Sequence, residues 1–147
     1  MSASVSELSV PEPLRTAVGI LQKRSMPGAT VDAVAGNWAY LLLPDIRFPS
    51  AKYPAPNVRA VWIRLPVQFP LAFPHGVVTK EPITKLDGST AKGHNVGGEM
   101  CAPVAGKGGA FYYSWTWSGE LGQGPALDSP EDITKVIAWV ERRVRLS

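Results

Sequence analysis

The stretch VRAVWIRLPV, Val58 to Val67, is the segment from which the fold can be worked out. Its side chains fall into two alternating sets: Val58, Ala60, Trp62 and Arg64, and Arg59, Val61, Ile63 and Leu65. This alternation predicts a β-strand, because successive side chains of a strand point to opposite faces of its sheet. The second set carries three aliphatic residues, so we expect it to face the core.

Three more strand-like segments surround this one, at residues 30–35, 37–48 and 76–83. The segment NWAYLLLPDIRF contains Pro44, which lacks the N–H that a ladder needs, so it predicts either two pieces or an edge strand. The linking stretches SAKYPAPN and QFPLAFPHG are too rich in proline for regular ladders. Together these segments predict an antiparallel meander of about four strands.

Helical patterns stand at both ends of the chain, near residues 10–25 and 130–146. In the first, Ser9 and Glu12 have capping-box spacing, and an apolar stripe follows at Leu14, Ala17, Val18 and Leu21. In the second, Ser129 can cap and Pro130 suits the first helical position; its apolar face is Ile133, Val136, Ile137, Val140 and Val144. Strands grouped between helices, rather than alternating with them, predict an α+β fold.

The composition indicates one ordinary globular domain spanning residues 1–147. Of 147 residues, 45% are hydrophobic and 18% charged, which excludes a disordered chain. No apolar run approaches the roughly 20 residues that span a bilayer, so no membrane partner is expected. The net charge is +3 with Lys and Arg spread along the chain, which does not predict nucleic-acid binding. A single cysteine cannot form an internal disulfide, so we expect a reducing, cytoplasmic location.

Residues 87–128 show little periodicity and are rich in glycine, which predicts a long irregular loop of functional importance. Its aromatic residues are expected to anchor the loop in the core rather than to stack on bases. They are Phe111, Tyr112, Tyr113, Trp115 and Trp117.

The loop contains the stretch LDGSTAKGHNVGGEMCAP, residues 86–103, which ends on the single cysteine of the chain, Cys101. Lys92 is a nearby positive charge of the kind that favours a thiolate. Gly97 and Gly98 let the backbone present N–H groups to an oxyanion, and the Asn95 side chain offers a further donor. A buried, inert cysteine, an acyl carrier that forms a thioester, and a cysteine hydrolase with His94 or His75 as base all remain open.

Metal and phosphate sites are not predicted. One Cys and two His, His75 and His94, cannot make a closed zinc site without carboxylates, and no pair of them has helical ligand spacing. The run GKGG at 106–109 lacks the pattern of a phosphate-binding loop. We therefore expect no cofactor.

A family resemblance is carried by LDGSTAK at 86–92 followed by GGEMC at 97–101. This pair resembles the active-site approach of the ubiquitin-fold-modifier conjugating enzyme, which has LDGxTAK and then GGxxC ending on the catalytic cysteine. The segment 58–78 resembles that family's strands and proline turn. Trp115 or Trp117 and the 130–146 helix resemble the tryptophan and helix that follow the cysteine in conjugating enzymes. The compact chain is also similar to conjugating-type proteins of bacterial ubiquitin-like operons.

The resemblance implies a ubiquitin-conjugating-like (UBC-like) fold and a role for Cys101 as the thioester carrier of a ubiquitin-like modifier. An activating enzyme, which uses the ATP, would load Cys101, and a lysine of a target protein would receive the modifier. Lys92 would tune the thiol and Asn95 would stabilise the oxyanion with the backbone of Gly97 and Gly98. His94 would be a base or an ordinary loop residue, since the proline of the usual His-Pro-Asn tripeptide is missing after it.

For the first helix, the resemblance and the charge of Arg15, Lys23 and Arg24 imply a docking face for the activating enzyme. Two alternatives to a conjugating enzyme stay open. One is a cysteine hydrolase that acts on modifier tails, and the other is a non-catalytic variant that only binds partners. Both catalytic interpretations lead us to expect the sulfur of Cys101 at the rim of a cleft.

Overall fold

The computed structural model describes residues 10–91, 94–96, 98–117 and 124–147, with the backbone alone at 94–96. Its elements, in chain order, are helix α1 (Glu12–Arg24), strands β1 (Thr30–Ala35), β2 (Trp38–Arg47), β3 (Val58–Pro66), β4 (His75–Thr79) and β5 (His94–Val96), helix α2 (Ala102–Ala105), strand β6 (Phe111–Thr116), a 3₁₀ turn (Pro130–Asp132) and helix α3 (Ile133–Leu146). Helices thus flank the strands at both ends, and the α+β class is confirmed.

The described strands form one antiparallel sheet in the order β1-β2-β3-β4-β6-β5. It has five strands and, at one edge, the three-residue strand β5. The predicted antiparallel meander of about four strands is present as β1 to β4, whereas the prediction of a long irregular loop after it is wrong, because β6 and β5 both come from that loop. Strand β6 reads FYYSWT, with large apolar side chains on both faces, so it lacks the polar alternation that marks a half-exposed strand.

Strand β2 is continuous and lies inside the sheet between β1 and β3. The prediction of two pieces or an edge strand is therefore wrong. Its pairing with β3 shifts register between Leu43 and Ile46. Pro44 lies within this irregular part of the ladder. The register shift therefore accommodates a residue that has no N–H to donate to the neighbouring strand.

One face of the sheet, called here the helix face, is covered by α1 and α3. Val61, Ile63 and Leu65 of β3 are buried there, as the alternation predicted. Arg59, the fourth member of that set, is half-buried and lies over the ring of Phe48 at 4.4 Å. The loop aromatics are anchored as expected, since Trp115 and Trp117 are buried.

The opposite face is also buried near its centre. We call this cluster the cysteine face, and it is formed by Tyr40, Trp62, Val78, Cys101, Val104 and Tyr112. Helix α2 and the turn before it supply Cys101 and Val104, and the sheet supplies the rest. Both alternating sets of β3 are therefore buried at their centres, whereas only one was expected to face a core.

The two terminal helices differ in how they follow their capping signals. Helix α1 begins at Glu12 with Pro11 at the N-cap position and no side-chain cap hydrogen bond, so the predicted capping box with Glu12 at the third helical position is wrong; Ser9 itself lies outside the described residues. At the other end, the carboxylate of Asp132 accepts hydrogen bonds from the backbone N–H groups of Asp128 (2.7 Å) and Ser129 (3.2 Å). Throughout the described part of the chain, each helix is too short or too polar to cross a bilayer.

Candidate functional site

Cys101 stands at the start of helix α2, directly after a tight turn. Gly98 has φ +84°, a left-handed conformation that favours glycine, and it reverses the chain into the helix. The carbonyl of Gly98 then accepts hydrogen bonds from the N–H groups of Cys101 and Ala102, both at 3.2 Å. Gly98, the second glycine of the GGEMC run, thus stands three residues before the cysteine at a position whose left-handed backbone favours glycine.

The side chain of Cys101 is buried, with 2% of its surface exposed. It packs into the cysteine face between the sheet and Val104. Gly98, Glu99 and Met100, which precede it, are all exposed, and Met100 is 37% exposed. The expectation of a sulfur at the rim of a cleft is therefore wrong for this conformation, because the turn lies down on the sheet and covers it.

Polar contacts hold the turn and α2 against the sheet at two ends. Before the cysteine, the Tyr40 hydroxyl donates to the carbonyl of Met100 at 2.8 Å. After α2, the ammonium of Lys107 lies 3.6 Å from the carboxylate of Asp32 on β1. Asp32 also accepts a hydrogen bond from the indole N–H of Trp62 at 2.8 Å. The sulfur is thus enclosed by a segment that is anchored on both sides.

Arg64 lies under the same cluster and is 5% exposed. Its Nε donates to the Tyr40 hydroxyl at 3.1 Å, and its Nη1 donates to the Tyr112 hydroxyl at 3.2 Å and to the carbonyl of His75 at 3.1 Å. The guanidinium also stacks over the ring of Trp38, 4.3 Å from its centre. Both phenols that border the cysteine are therefore oriented by one buried cation.

Burial determines the protonation of this cluster. Burial raises the pKa of Tyr40 and of Tyr112, the positive charge of Arg64 opposes that rise, and the nearby Cys101 adds to it. Both phenols therefore stay neutral in the physiological range and keep an O–H to donate. Burial, assisted by Arg64, lowers the pKa of His75, which favours the neutral imidazole.

The structure describes only part of the predicted site. Lys92 and Gly97 lie outside the described residues, and for His94 and Asn95 the backbone alone is described. That backbone forms β5, in which Asn95 pairs with Tyr112 of the cysteine face. The roles of these four residues stay predictions.

The predicted docking residues are all exposed on α1. Arg15, Lys23 and Arg24 project from the helix, whose opposite side is buried. The guanidinium of Arg15 also donates to the carbonyl of Val10 at 2.8 Å, which holds it near the N-terminal end. All three side chains are thus on the surface, and the docking of a partner there stays a prediction.

Sequence reasoning missed Tyr40, Arg64 and Tyr112. The alternation of β3 assigned Arg64 to the side away from the core, where an exposed cation is ordinary. The available signal was its neighbour on that side, Trp62, since a large aromatic residue next to an arginine indicates a covered surface. Tyr40 and Tyr112 are far apart in sequence, so their meeting depends on strand order.

Shape alone does not mark the cysteine as a site. A groove of about 480 Å³ lies between the 54–61 and 79–84 segments, and none of its lining residues belongs to the cysteine face. Within residues 10–91, 98–117 and 124–147, no group of three His, Cys, Asp or Glu side chains could hold a metal ion.

Comparison of the chain with protein-family models, with curated proteins and with solved structures gives no match. The UBC-like fold and the conjugating family therefore stay predictions, carried by residues 86–101 of the sequence.

Proposed function

We propose that this chain is a conjugating enzyme of UBC-like fold that carries a ubiquitin-like modifier as a thioester on Cys101. The observation that supports the proposal most is the run LDGSTAK and GGEMC, which ends on the single cysteine of the chain. The left-handed Gly98 and the helix that begins after Cys101 give this run a defined turn, which is suited to presenting one side chain. Two phenols pack in the same cluster as that side chain, and a buried guanidinium donates hydrogen bonds to both of them.

In the first step, the thiolate of Cys101 attacks the carbonyl carbon of the modifier's C-terminal thioester on the activating enzyme. A new C–S bond forms, and the activating enzyme's sulfur leaves with the electrons of the broken bond. In the second step, a neutral lysine amine attacks the same carbon and an amide forms; the sulfur of Cys101 leaves as a thiolate with the electrons of the broken C–S bond, and the proton that the amine loses passes to solvent. Exposed Arg15, Lys23 and Arg24 would dock the activating enzyme for the first step.

Because Cys101 is 2% exposed, loading requires the turn at Gly98 to Met100 to lift off the sheet. That motion breaks the hydrogen bond from Tyr40 to Met100, which contributes about 1 kcal/mol. Moving Cys101 off the sheet also uncovers the side chains that it packs against, so the opening free energy includes that lost apolar burial. Transfer requires this opening free energy to stay below the free energy of global unfolding.

The proposal is tested by loading the purified chain with its activating enzyme, ubiquitin-like candidates from the same genomic neighbourhood and ATP. A thiol-sensitive adduct on a non-reducing gel is expected for the wild type, and none for Cys101→Ala. Cys101→Lys is expected to trap a modifier amide that survives reductant. A reducible adduct that persists in Cys101→Ala contradicts the proposal.

The burial of Cys101 favours a second candidate, the non-catalytic variant that binds partners through the same fold. On that proposal, no adduct forms with any candidate modifier, although the modifier or the activating enzyme still binds. Native-state thiol labelling separates the two before any partner is known. A conjugating enzyme exposes Cys101 through local opening, whereas in the non-catalytic variant labelling requires global unfolding.

A further inference from the structure

Arg64 is a buried cation that no carboxylate neutralises within the described part of the chain. The ion pairs there join Arg47 to Glu141, Lys107 to Asp32 and Lys135 to Asp132. The hydrogen bonds of Arg64 go instead to two phenol oxygens and one backbone carbonyl, which are neutral acceptors. Burying a charge without a counter-charge opposes folding, so a compensating negative group is expected at this position in some state of the protein.

Cys101 is the group of the cysteine face that can supply that negative charge. Tyr40 and Tyr112 both accept hydrogen bonds from Arg64, and both pack in one cluster with Cys101. The guanidinium and the sulfur therefore share the same two phenols. A phenol that accepts from Arg64 still has its own O–H to give, and Tyr40 gives it to the Met100 carbonyl while the turn is closed.

We infer that Arg64 is a positioning residue that stabilises the thiolate of Cys101 through Tyr40 and Tyr112. When Met100 leaves Tyr40, the O–H of Tyr40 is released to donate to the thiolate, and the guanidinium that it accepts from polarises it. The inference rests on the proposed function for its consequence in catalysis, since an acyl carrier must be a thiolate to attack. The thiolate itself can be measured without a modifier or an activating enzyme.

Other charged and titratable groups around the cysteine do not duplicate this role. On β1, Asp32 is paired with Lys107, so their charges offset each other. On β4, the pKa of His75 is lowered by burial and by Arg64, which favours the neutral ring. In the turn, Glu99 is exposed, and its negative charge opposes a thiolate in a manner that water screens. Among the described residues around the cysteine, Arg64 is therefore a positive charge that no carboxylate offsets.

The single cysteine makes the test direct, because the ultraviolet absorbance of a thiolate then reports one group. The full chain is titrated as wild type, Arg64→Gln and Arg64→Lys, with Cys101→Ala as the blank. We expect the midpoint of the thiolate absorbance to rise by roughly one pH unit in Arg64→Gln. Arg64→Lys keeps the positive charge but loses the two guanidinium N–H groups that reach the two phenols. A smaller rise of the thiolate midpoint is therefore expected.

Arg143→Gln is the matched control, because Arg143 is also buried and stacks over Trp115 at 4.8 Å, but on the helix face. Its midpoint is expected to equal that of the wild type. Equal midpoints in Arg64→Gln, Arg64→Lys and the wild type overturn the inference; if Arg64→Gln does not fold, the result for Arg64→Lys decides. A shifted midpoint in a chain that never forms an adduct supports the role of Arg64 and rejects conjugation. Adduct formation without any shift of the thiolate midpoint supports conjugation and rejects the role of Arg64.

Discussion

The two faces of the sheet are both buried, but different interactions hold them. The helix face is a continuous apolar core in which α1 and α3 cover alternate residues of the strands. Its close contacts are between rings, such as Trp117 and Trp139 with centroids 4.9 Å apart. The cysteine face is a small cluster in which phenols, a guanidinium and an ion pair fasten a four-residue helix and a turn to the sheet.

This difference locates the part of the molecule that can open at low cost. Separating a helix from the helix face exposes many apolar side chains at once, which makes that face part of the global folding unit. Lifting the turn at Gly98 to Met100 breaks polar contacts that water can replace, and those residues are already exposed. We therefore expect Cys101 to reach solvent at a lower free energy than the buried side chains of the helix face.

The largest predicted effect tests how tightly the cysteine face is packed. Gly76 has φ +84°, and a Cβ built there would lie 2.5 Å from the ring of Tyr112. Gly76→Ala combines backbone strain with displacement of that ring, so we expect a loss of about 3 kcal/mol of unfolding free energy. Urea denaturation measures it, with Cys101 labelling as a second readout.

The matched control for Gly76→Ala is Gly36→Ala. Gly36 also has a positive φ, +60°, but a Cβ there meets nothing within 4 Å. It should lose about 1 kcal/mol, which is the cost of the backbone strain alone. If the two variants lose the same unfolding free energy, the ring of Tyr112 can move away from residue 76, and the side chains of the cysteine face are not tightly packed.

An intermediate effect compares the faces through two tyrosines with similar hydrogen bonds. Tyr40 donates to the Met100 carbonyl at 2.8 Å on the cysteine face, and Tyr53 donates to the Val144 carbonyl at 2.7 Å on the helix face. Tyr53→Phe is expected to cost about 1–2 kcal/mol of unfolding free energy, and Tyr40→Phe more, because it also removes the acceptor of the Arg64 Nε–H. Tyr40→Phe alone should speed native-state labelling of Cys101 by maleimide, by roughly fivefold, because it releases the turn.

Tyr53→Phe serves as the control for that labelling, since it leaves the contacts of the turn intact. Burial raises the pKa of Tyr53 to about 12, so its O–H is present at every pH that the labelling uses. Labelling that accelerates equally in both variants would show that Cys101 reacts only through global unfolding. That outcome would favour the non-catalytic candidate.

Much of the fold follows from local patterns in the sequence. Strand β1 has the predicted bounds, Thr30 to Ala35, and the apolar stripe of α1 is buried at Leu14 and Leu21 as expected. These features depend on residues that are near each other along the chain. The period of two along β3 and the capping signals of α3 are also local patterns. Such patterns are sufficient to predict the α+β fold class.

The candidate site depends on contacts that no local pattern records. Tyr40 and Met100 are 60 positions apart, and Arg64 and Tyr112 are 48 apart. They meet because β6 pairs with β4, and β6 was hidden in a segment without alternation. The sequence singles out Cys101 and the glycines before it as candidates, but it could not predict that the turn at Gly98 closes over the sulfur.

The smallest predicted effect is a pH dependence that belongs to the cysteine face. His75 packs edge-on against Trp38 with ring centroids 6.4 Å apart, and burial, then Arg64, lowers its pKa from the ordinary 6.5. The unfolded chain therefore binds the proton more readily than the folded one. The free energy of unfolding should fall as the pH drops through about 6.5, and its full value is present above that pH.

Urea denaturation at about pH 7.5 and about pH 5.5, on either side of the ordinary histidine value, measures that loss for the wild type and for His75→Gln. The loss should be smaller in His75→Gln, because glutamine does not titrate. Carboxylates contribute equally to both proteins, so the difference between the two losses isolates the imidazole. An identical loss in both would mean that His75 takes up a proton as easily as in the unfolded chain. The guanidinium of Arg64 would then be screened from its surroundings, which would weaken its inferred action on Cys101 as well.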